Sequence, residues 1–241
     1  MTTQTQAPTR RTALVTGGSR GLGRALTLHL LREGWRVIAD GRDGNTLDRL
    51  RSEAPDPTEL LTVPGDVTDP SHRADLIEEV LRWDGLDLLV NNASLLGPSP
   101  QPVLRDYPVE TLSKIYAANV FAPLALIQLA LPHLERRAGR VINISSDAAI
   151  EPYEGWGGYG SSKAALDQLT NVLAAEHPGL RIYALDPGDM RTDMHAEAFP
   201  GEDISDRPEP ETVLPALARL IEGDLPSARY RASTLLPQVT A

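Results

Sequence analysis

Short apolar runs alternate with longer helical stretches along most of this chain, and this alternation limits the possible folds more than any other feature. The apolar runs cover residues 12–16, 35–39, 60–63, 86–90, 140–145 and 180–185, with a possible final strand at 229–235. Helical patterns cover residues 22–32, 45–53, 70–83, 109–135, 158–177 and 209–222. Apolar strands joined by helices are typical of a parallel sheet that is covered on both faces. The sequence therefore predicts an α/β fold, a Rossmann-like doubly wound parallel sheet of about seven strands.

The 241 residues contain no repeat and no linker that would divide them. We predict a flexible N-terminal tail over residues 1–11, which are polar and lack the apolar core of a secretory signal. Residues 12–241 then form a single domain. Residues 95–106 and 188–210 are long and rich in proline or acidic residues, and long loops in compact domains are often binding lids. We expect 188–210 to be the substrate lid.

Charge and cysteine content exclude several classes of protein. Asp and Glu number 33 against 23 Lys and Arg, and an acidic chain is a poor partner for nucleic acid or for anionic membranes. The uncharged run 115–134 is long enough to span a membrane, but prolines and polar residues interrupt it, which favours a buried helix. The chain has no cysteine, which is consistent with a cytoplasmic location. The five histidines show no ligand spacing, so we expect no metal site.

A glycine-rich turn, TGGSRGLG at residues 16–23, joins the first strand to the first helix. Such a turn aims backbone N–H groups and the positive end of the helix at a phosphate. Gly17 permits the tight turn, Gly21 lets the backbone approach the ligand, and Gly23 lets helix and strand pack closely. The turn therefore predicts a dinucleotide-binding site.

Tyr159 and Lys163 are four residues apart on a predicted helix, so they share one face. A free tyrosine has a pKa of about 10, and a nearby ammonium group, or a positive nicotinamide ring, should lower it. Tyr159 could then donate a proton to a carbonyl oxygen, or accept one in the reverse reaction. Lys114 and Lys163 are the only lysines in a chain that otherwise uses arginine, which favours a specific role for Lys163.

These motifs together resemble the short-chain dehydrogenase/reductase family, and the resemblance extends from about residue 12 to residue 222. The spacing T-G-x-x-x-G-x-G, the segment Asn91–Ser94 resembling N-N-A-G, the Y-x-x-x-K pair and Pro187-Gly188 with Thr192 occur in the family's order. The resemblance implies a catalytic tetrad of Asn119, Ser146, Tyr159 and Lys163. In the family, the asparagine at this place helps to hold a water that links the lysine to solvent. Ser145 is the rival for Ser146, but Ser146 has the family's usual spacing, thirteen residues before the tyrosine.

The resemblance also implies the residues that contact the cofactor, with Asp66 and Val67 near the adenine. The full set is Gly17, Ser19, Arg20, Gly21, Leu22, Gly23, Arg42, Asp66, Val67, Asn92, Ala93, Tyr159, Lys163, Pro187, Gly188, Met190 and Thr192. An acid at the end of the second strand usually binds the ribose of NAD, and Asp40 suggests this reading. The family's discriminating acid, however, falls one residue later, at Gly41. Arg20 and Arg42 can bind a 2′-phosphate, so we favour NADP(H).

The substrate pocket is expected to include Leu95, Ile150, Tyr153, Trp156 and Met194, with Leu96 beside them. Two departures from the family are Ser94, in place of the glycine of N-N-A-G, and Ala149, where glycine is common. The C-terminus lacks the family's glycine-rich strand, which leaves a homodimer and a homotetramer open.

We therefore expect an NADPH-dependent carbonyl reductase or ketoreductase, reversibly an alcohol dehydrogenase, with Tyr159 as proton donor. The small-molecule substrate is a ketone, an aldehyde or an alcohol. The alternatives are an NAD-dependent secondary-alcohol dehydrogenase and a non-catalytic dinucleotide sensor.

Overall fold

The computed structural model describes residues 10–236 and places seven strands in them, numbered β1 to β7 in chain order. They are Thr12–Val15, Arg36–Gly41, Leu60–Pro64, Leu88–Asn91, Arg140–Ile144, Arg181–Asp186 and Arg229–Arg231. All neighbouring strands pair in parallel, and the sheet order is β3-β2-β1-β4-β5-β6-β7. The predicted doubly wound sheet of about seven strands is therefore confirmed.

Nine α-helical segments of the described chain, α1 to α9, connect or follow these strands. They are Gly21–Arg32, Gly44–Glu53, Pro70–Arg82, Val109–Tyr116, Ala122–Arg137, Gly157–Glu176, Asp193–Ala198, Leu214–Glu222 and Ala232–Leu235. The core lies on both faces of the sheet, because β1 alternates its side chains between two apolar clusters: Ala13 and Val15 pack in one and Leu14 in the other. Two helices begin at aspartate caps, Asp43 for α2 and Asp69 for α3, each accepting a backbone N–H two residues later at 2.9 Å.

The chain order reverses between β1 and β4, since β1 is hydrogen-bonded to β2 on one side and to β4 on the other. In open α/β sheets, ligands bind in the crevice beyond the carboxyl ends of the strands at such a reversal. The glycine-rich turn follows β1 and the segment Asn91–Ser94 closes β4, so the fold brings both motifs to this crevice.

The long apolar helix 109–135 predicted from sequence is found as α4 and α5, joined by a five-residue π-helical segment, Ala117–Phe121. By length and composition alone, Val109–Arg137 could cross a membrane. Half of its most apolar window is buried in the fold, where Leu126, Ile127 and Leu134 pack against the sheet. This stretch is therefore built as a core helix.

The C-terminal strand is shorter than predicted. Only Arg229–Arg231 pair with β6, and Ala232–Leu235 turn into a short helix that buries Ala232 and Leu235. The expected strand over 229–235 was therefore wrong in its second half, because these two side chains complete the core beside α8. Residues 1–9 of the predicted tail lie outside the described part of the chain. Arg11 contacts the domain, with its guanidinium 4.0 Å from the ring centroid of Trp35.

Candidate active site

A cleft of about 1230 Å3 opens at the carboxyl ends of β1 and β4. Of the cofactor-contact residues expected from sequence, all but Gly23 border it. Of the expected catalytic residues, Ser146, Tyr159 and Lys163 border it, and Asn119 is not among the residues that line it. Both lysines of the chain, Lys114 and Lys163, also border the cleft. One cavity thus gathers the motifs that are scattered over some 175 residues of sequence.

The glycine-rich turn brings the backbone to the floor of the cleft. Gly17 and Gly21 have φ of 61° and 52°, left-handed values that glycine adopts without strain. Arg20 precedes α1, and its side chain does not cap this helix. Within residues 10–236, no side chain accepts the first N–H groups of α1. Uncapped N–H groups and the helix dipole suit the pyrophosphate of a dinucleotide.

The start of α1 is packed so closely that position 23 has room only for glycine. A Cβ there would lie 2.2 Å from the carbonyl oxygen of Gly17 and 2.5 Å from Nδ2 of Asn92. The Asn92 amide itself holds the turn, because it donates to the carbonyls of Thr16 at 2.9 Å and Gly17 at 3.1 Å. The Gly17 carbonyl and the Asn92 amide are thus bonded to each other, and neither can move away from a side chain placed at position 23.

We expect Gly23→Ala to destabilise the fold by about 1–3 kcal/mol, because overpacking a fixed site costs about that much. It should also weaken dinucleotide binding, since relief of the clash displaces the turn. Gly44→Ala is the matched control, because a Cβ at Gly44 meets no atom of residues 10–236 within 4 Å. Urea unfolding of both variants checks this, and equal stability of the two would contradict it.

Asp40 lies at the end of β2 but its carboxylate is turned into the protein. Oδ1 accepts the Gly17 N–H at 2.6 Å, and Oδ2 lies 3.0 Å from Nε2 of His72. Burial raises the pKa of Asp40, and the hydrogen bonds of His72 and Gly17 oppose that rise. Both oxygens are therefore engaged beneath the glycine-rich turn. At the next position, a Cβ on Gly41 would lie 2.8 Å from Oγ of Ser19, so an acid there would not fit without a shift.

Two arginines border the cleft, Arg20 in the turn after β1 and Arg42 directly after β2. Arg20 reaches across to the predicted lid, with Nη1 3.5 Å from Oδ2 of Asp193. Arg42 lies near Asp66. Partial burial raises the pKa of Asp66, but hydrogen bonds from the amide and hydroxyl of Thr68, both 2.8 Å, and the charge of Arg42 bring it below its usual value. The arginines remain at the cleft surface, where they could bind a phosphate.

Tyr159, Ser146 and Lys163 come together at the other end of the cleft. α6 carries Tyr159 and Lys163, and Nζ of Lys163 lies 5.5 Å from the centroid of the Tyr159 ring. Ser146 follows β5, and its hydroxyl faces the Tyr159 phenol. Its rival Ser145 is buried and faces Asp167, whereas the hydroxyl groups that contact the Tyr159 phenol are those of Ser146 and Ser94. The geometry therefore favours Ser146 over Ser145.

Burial is the largest influence on the pKa of Tyr159. It raises the pKa of Tyr159 to about 12, although the hydroxyls of Ser94 and Ser146 act in the opposite direction. The same burial lowers the pKa of Lys163 to about 8, opposed by the charge of Asp167. The lysine ammonium donates to the carbonyl of Ile144 at 2.7 Å. The expectation that Lys163 lowers the pKa of Tyr159 is thus not met by the protein alone, because desolvation of the phenol outweighs the charge of an ammonium group that is hydrogen-bonded to Ile144.

Asn119 lies in the π-helical segment and is completely buried. Its carboxamide clamps the chain after β4, because Oδ1 accepts the N–H of Leu95 at 2.7 Å and Nδ2 donates to the carbonyl of Leu95 at 2.9 Å. Nδ2 also donates to Oγ of Ser162 on α6 at 2.9 Å. The side chain thus fixes the segment after β4, at Leu95, against α6.

Four of the five residues predicted for the substrate pocket, Leu95, Tyr153, Trp156 and Met194, border the cleft. Ile150 does not: it follows the short helical turn at Asp147–Ala149, which directs it outward, and it is 57% exposed. The prediction for Ile150 is therefore corrected.

Sequence reasoning missed several residues that shape this site. The carboxylate of Asp147 accepts hydrogen bonds from the hydroxyl of Ser146 at 3.0 Å and from the hydroxyl of Tyr153 at 2.9 Å. Arg229 on β7 donates to the carbonyl of Ser146 at 2.9 Å and to Asp167 at 2.8 Å. Ser94 donates to Oδ1 of Asn119 at 3.2 Å. Only the position of Asp147, next to Ser146, could have indicated its role, since the other contacts are long-range.

Comparison with known proteins identifies relatives of this chain. A family model described as short chain dehydrogenase matches residues 11–203. The short chain dehydrogenase penD of Penicillium thymicola is 41% identical over 182 residues, 70% of this chain and 65% of that protein, so the match spans less than two thirds of its length. A benzil reductase ((S)-benzoin forming) of Saccharomyces cerevisiae is 32% identical, with 95% and 86% covered. The structure of a Shigella flexneri short chain dehydrogenase complexed with NADP superposes with a TM-score of 0.86 at 29% identity, covering 92% and 97%.

Proposed function

The chain belongs to the short-chain dehydrogenase family, and we propose that it is an NADPH-dependent carbonyl reductase with Tyr159 as proton donor. Its activity is that of an NAD(P)-dependent oxidoreductase. The observation that carries the finer proposal is the arrangement of the Tyr159 phenol beside the Ser146 hydroxyl at the cleft, with Nζ of Lys163 5.5 Å from the centroid of the Tyr159 ring. Like a free tyrosine, this phenol is protonated near neutral pH, so it can give a proton to a carbonyl oxygen, which is the direction of reduction.

The mechanism assigns a task to each of these residues. A bound nicotinamide cofactor supplies the hydride. The Ser146 hydroxyl, which donates to Asp147 at 3.0 Å, would turn to donate to the substrate oxygen where negative charge develops, and the Tyr159 hydroxyl would transfer its proton to that oxygen. Lys163, with a pKa of about 8, exchanges protons near neutral pH and stabilises the phenolate left behind. Asn119 positions Leu95 and α6 without contacting the substrate.

The preference for NADPH over NADH is part of the proposal. Asp40 is the acid that would suit an NAD ribose, but the Gly17 N–H and His72 engage its two oxygens. Arg20 and Arg42 border the cleft and could form charge-assisted bonds with a 2′-phosphate. The NADP complex of the Shigella relative supports the same preference.

We further propose that residues 188–210 close over the substrate. The side chain of Arg191 pairs with Glu209, and the backbone N–H of Arg191 donates to the carbonyl of Pro208 at 2.8 Å, so the two ends of this segment are joined.

Exposed apolar side chains at Phe121, Leu129 and Val172 support a homodimer or homotetramer, which light scattering would measure. The lack of cysteine supports a cytoplasmic location.

The proposed function is tested by titrating the purified protein with NADPH and NADH and then screening carbonyl compounds for NADPH oxidation. We expect NADPH to bind at least about tenfold more tightly, a difference of about 1.4 kcal/mol. Preference for NADH would favour the NAD-dependent dehydrogenase, and binding of neither would favour a scaffold without catalysis.

Arg20→Ala and Arg42→Ala should each weaken NADPH binding by about tenfold to a hundredfold, because a hydrogen bond between charged groups contributes about 1.5–3 kcal/mol. NADH binding should change little, since NADH lacks the 2′-phosphate. Arg82→Ala is the control, because it removes the same charge from the exposed end of α3. Fluorescence titration with both cofactors checks this, and equal losses for NADPH and NADH would contradict a phosphate contact.

A further inference from the structure

The end of the cleft beyond Tyr159 is walled by aromatic rings from two separate segments. The ring centroid of Trp156, from the loop before α6, lies 5.9 Å from that of Tyr159 and 5.7 Å from that of Phe199, which follows α7. His195 stacks behind Phe199 with centroids 4.9 Å apart. Trp156 and Phe199 border the cleft and are only partly buried, so parts of both rings are left to contact a ligand.

Carboxylates border the cleft on the same two segments. Asp147 and Glu154 come from the side of Trp156, and Asp189 and Glu197 from the side of Phe199. Asp147 lies directly behind the reacting groups, because it accepts the Ser146 hydroxyl. A negatively charged substrate would therefore be repelled near the place where the reaction itself creates negative charge. A neutral substrate carries no such penalty.

We propose that Trp156 and Phe199 form a subsite for a flat, neutral aromatic ring, so that the preferred substrates are aryl-substituted ketones without an acidic group. The inference rests on the proposed carbonyl reductase function and names its substrate class. Aromatic rings attract one another in offset or edge-to-face arrangements with centroids 4.5–7 Å apart, beyond the effect of apolar burial alone. A saturated ring with the same number of carbon atoms is puckered and has no π system, so only the burial of its apolar surface would favour its binding.

The test compares two ketones that differ only in this ring, 1-phenylpropan-2-one and 1-cyclohexylpropan-2-one. The carbonyl of each is separated from the ring by a methylene group, so the intrinsic reactivity of the two is similar. We expect kcat/KM for NADPH-dependent reduction to be about tenfold higher for the phenyl ketone. A carboxylate on the phenyl ring, as in 4-(2-oxopropyl)benzoate, should lower kcat/KM by at least a further tenfold.

Trp156→Leu and Phe199→Leu should each reduce the phenyl-to-cyclohexyl ratio to within about threefold of unity. The ratio is the readout, because it is insensitive to a general loss of activity from a displaced lid. Phe121→Leu is the matched control, since Phe121 is the only other phenylalanine, is 60% exposed and lies outside the cleft. Retained NADPH binding shows that each variant is folded.

The outcomes separate the inference from the function on which it rests. Equal kcat/KM for the two ketones in the wild type, or an unchanged ratio in both cleft variants, would overturn the aromatic subsite and leave the reductase standing. Reduction of neither ketone, or of any other carbonyl compound, by protein that binds NADPH would overturn both.

Discussion

Tyr159→Phe should lower kcat by about 10²–10⁴-fold, the usual contribution of a positioned general acid. The substitution removes only the hydroxyl, so the ring can keep its contact with Trp156 at the wall of the cleft. NADPH affinity should stay within about threefold of wild type, because the glycine-rich turn and the arginines are untouched. Steady-state kinetics and a cofactor titration on the same preparation check both parts.

Tyr230→Phe is the control for this substitution. Its hydroxyl donates to the carbonyl of Pro226 at 2.9 Å, on the surface and outside the cleft, so its loss should leave kcat unchanged. If Tyr159→Phe kept the wild-type rate, another group would have to supply the proton. A loss of NADPH binding in step with activity would instead indicate a structural role for the hydroxyl.

Lys163→Met should remove most of the activity and stabilise the fold at neutral pH. The wild-type ammonium is buried, and burial lowers its pKa from 10.5 to about 8. One pKa unit corresponds to about 1.4 kcal/mol, so the charged lysine costs the folded state about 3 kcal/mol at pH 7. Methionine fills a similar volume without a charge, although it leaves the Ile144 carbonyl without this donor. Activity should fall by at least about 100-fold, because the phenolate loses its nearest cation.

The stability gain should depend on pH in a defined direction. Between pH 8 and 10.5 the lysine is deprotonated in the folded protein but still protonated in the unfolded chain, so wild-type stability rises with pH relative to the variant. The advantage of Lys163→Met should therefore shrink by about 2 kcal/mol between pH 8 and 9.5, as measured by urea unfolding. Lys114→Met, which replaces the exposed lysine, should show no such change. A constant difference across this range would refute the buried charge as its cause.

Much of the fold and site could be predicted from local features of the sequence. Alternating strands and helices determined a parallel sheet, and a parallel sheet places the ends of its strands at one edge. That edge brings the turn at Gly17 to the segment at Asn92, and the spacing of Tyr159 and Lys163 places both on one helix face. These conclusions need only the geometry of helices and strands, which residues close in sequence determine.

The remaining properties depend on groups that are far apart in sequence. From the sequence, Asp40 at the end of the second strand leaves an NAD-ribose contact open, and only the structure shows its carboxylate turned toward Gly17 and toward His72, 32 residues away. The spacing of Tyr159 and Lys163 predicts a lowered tyrosine pKa, yet burial raises it to about 12. Arg229 reaches Ser146 across 83 residues. Local sequence patterns therefore predict the sheet and the motifs that line the cleft. The hydrogen-bond partners of these side chains and the shifts of their pKa values depend on the folded chain, because desolvation and long-range contacts exist only once the chain has folded.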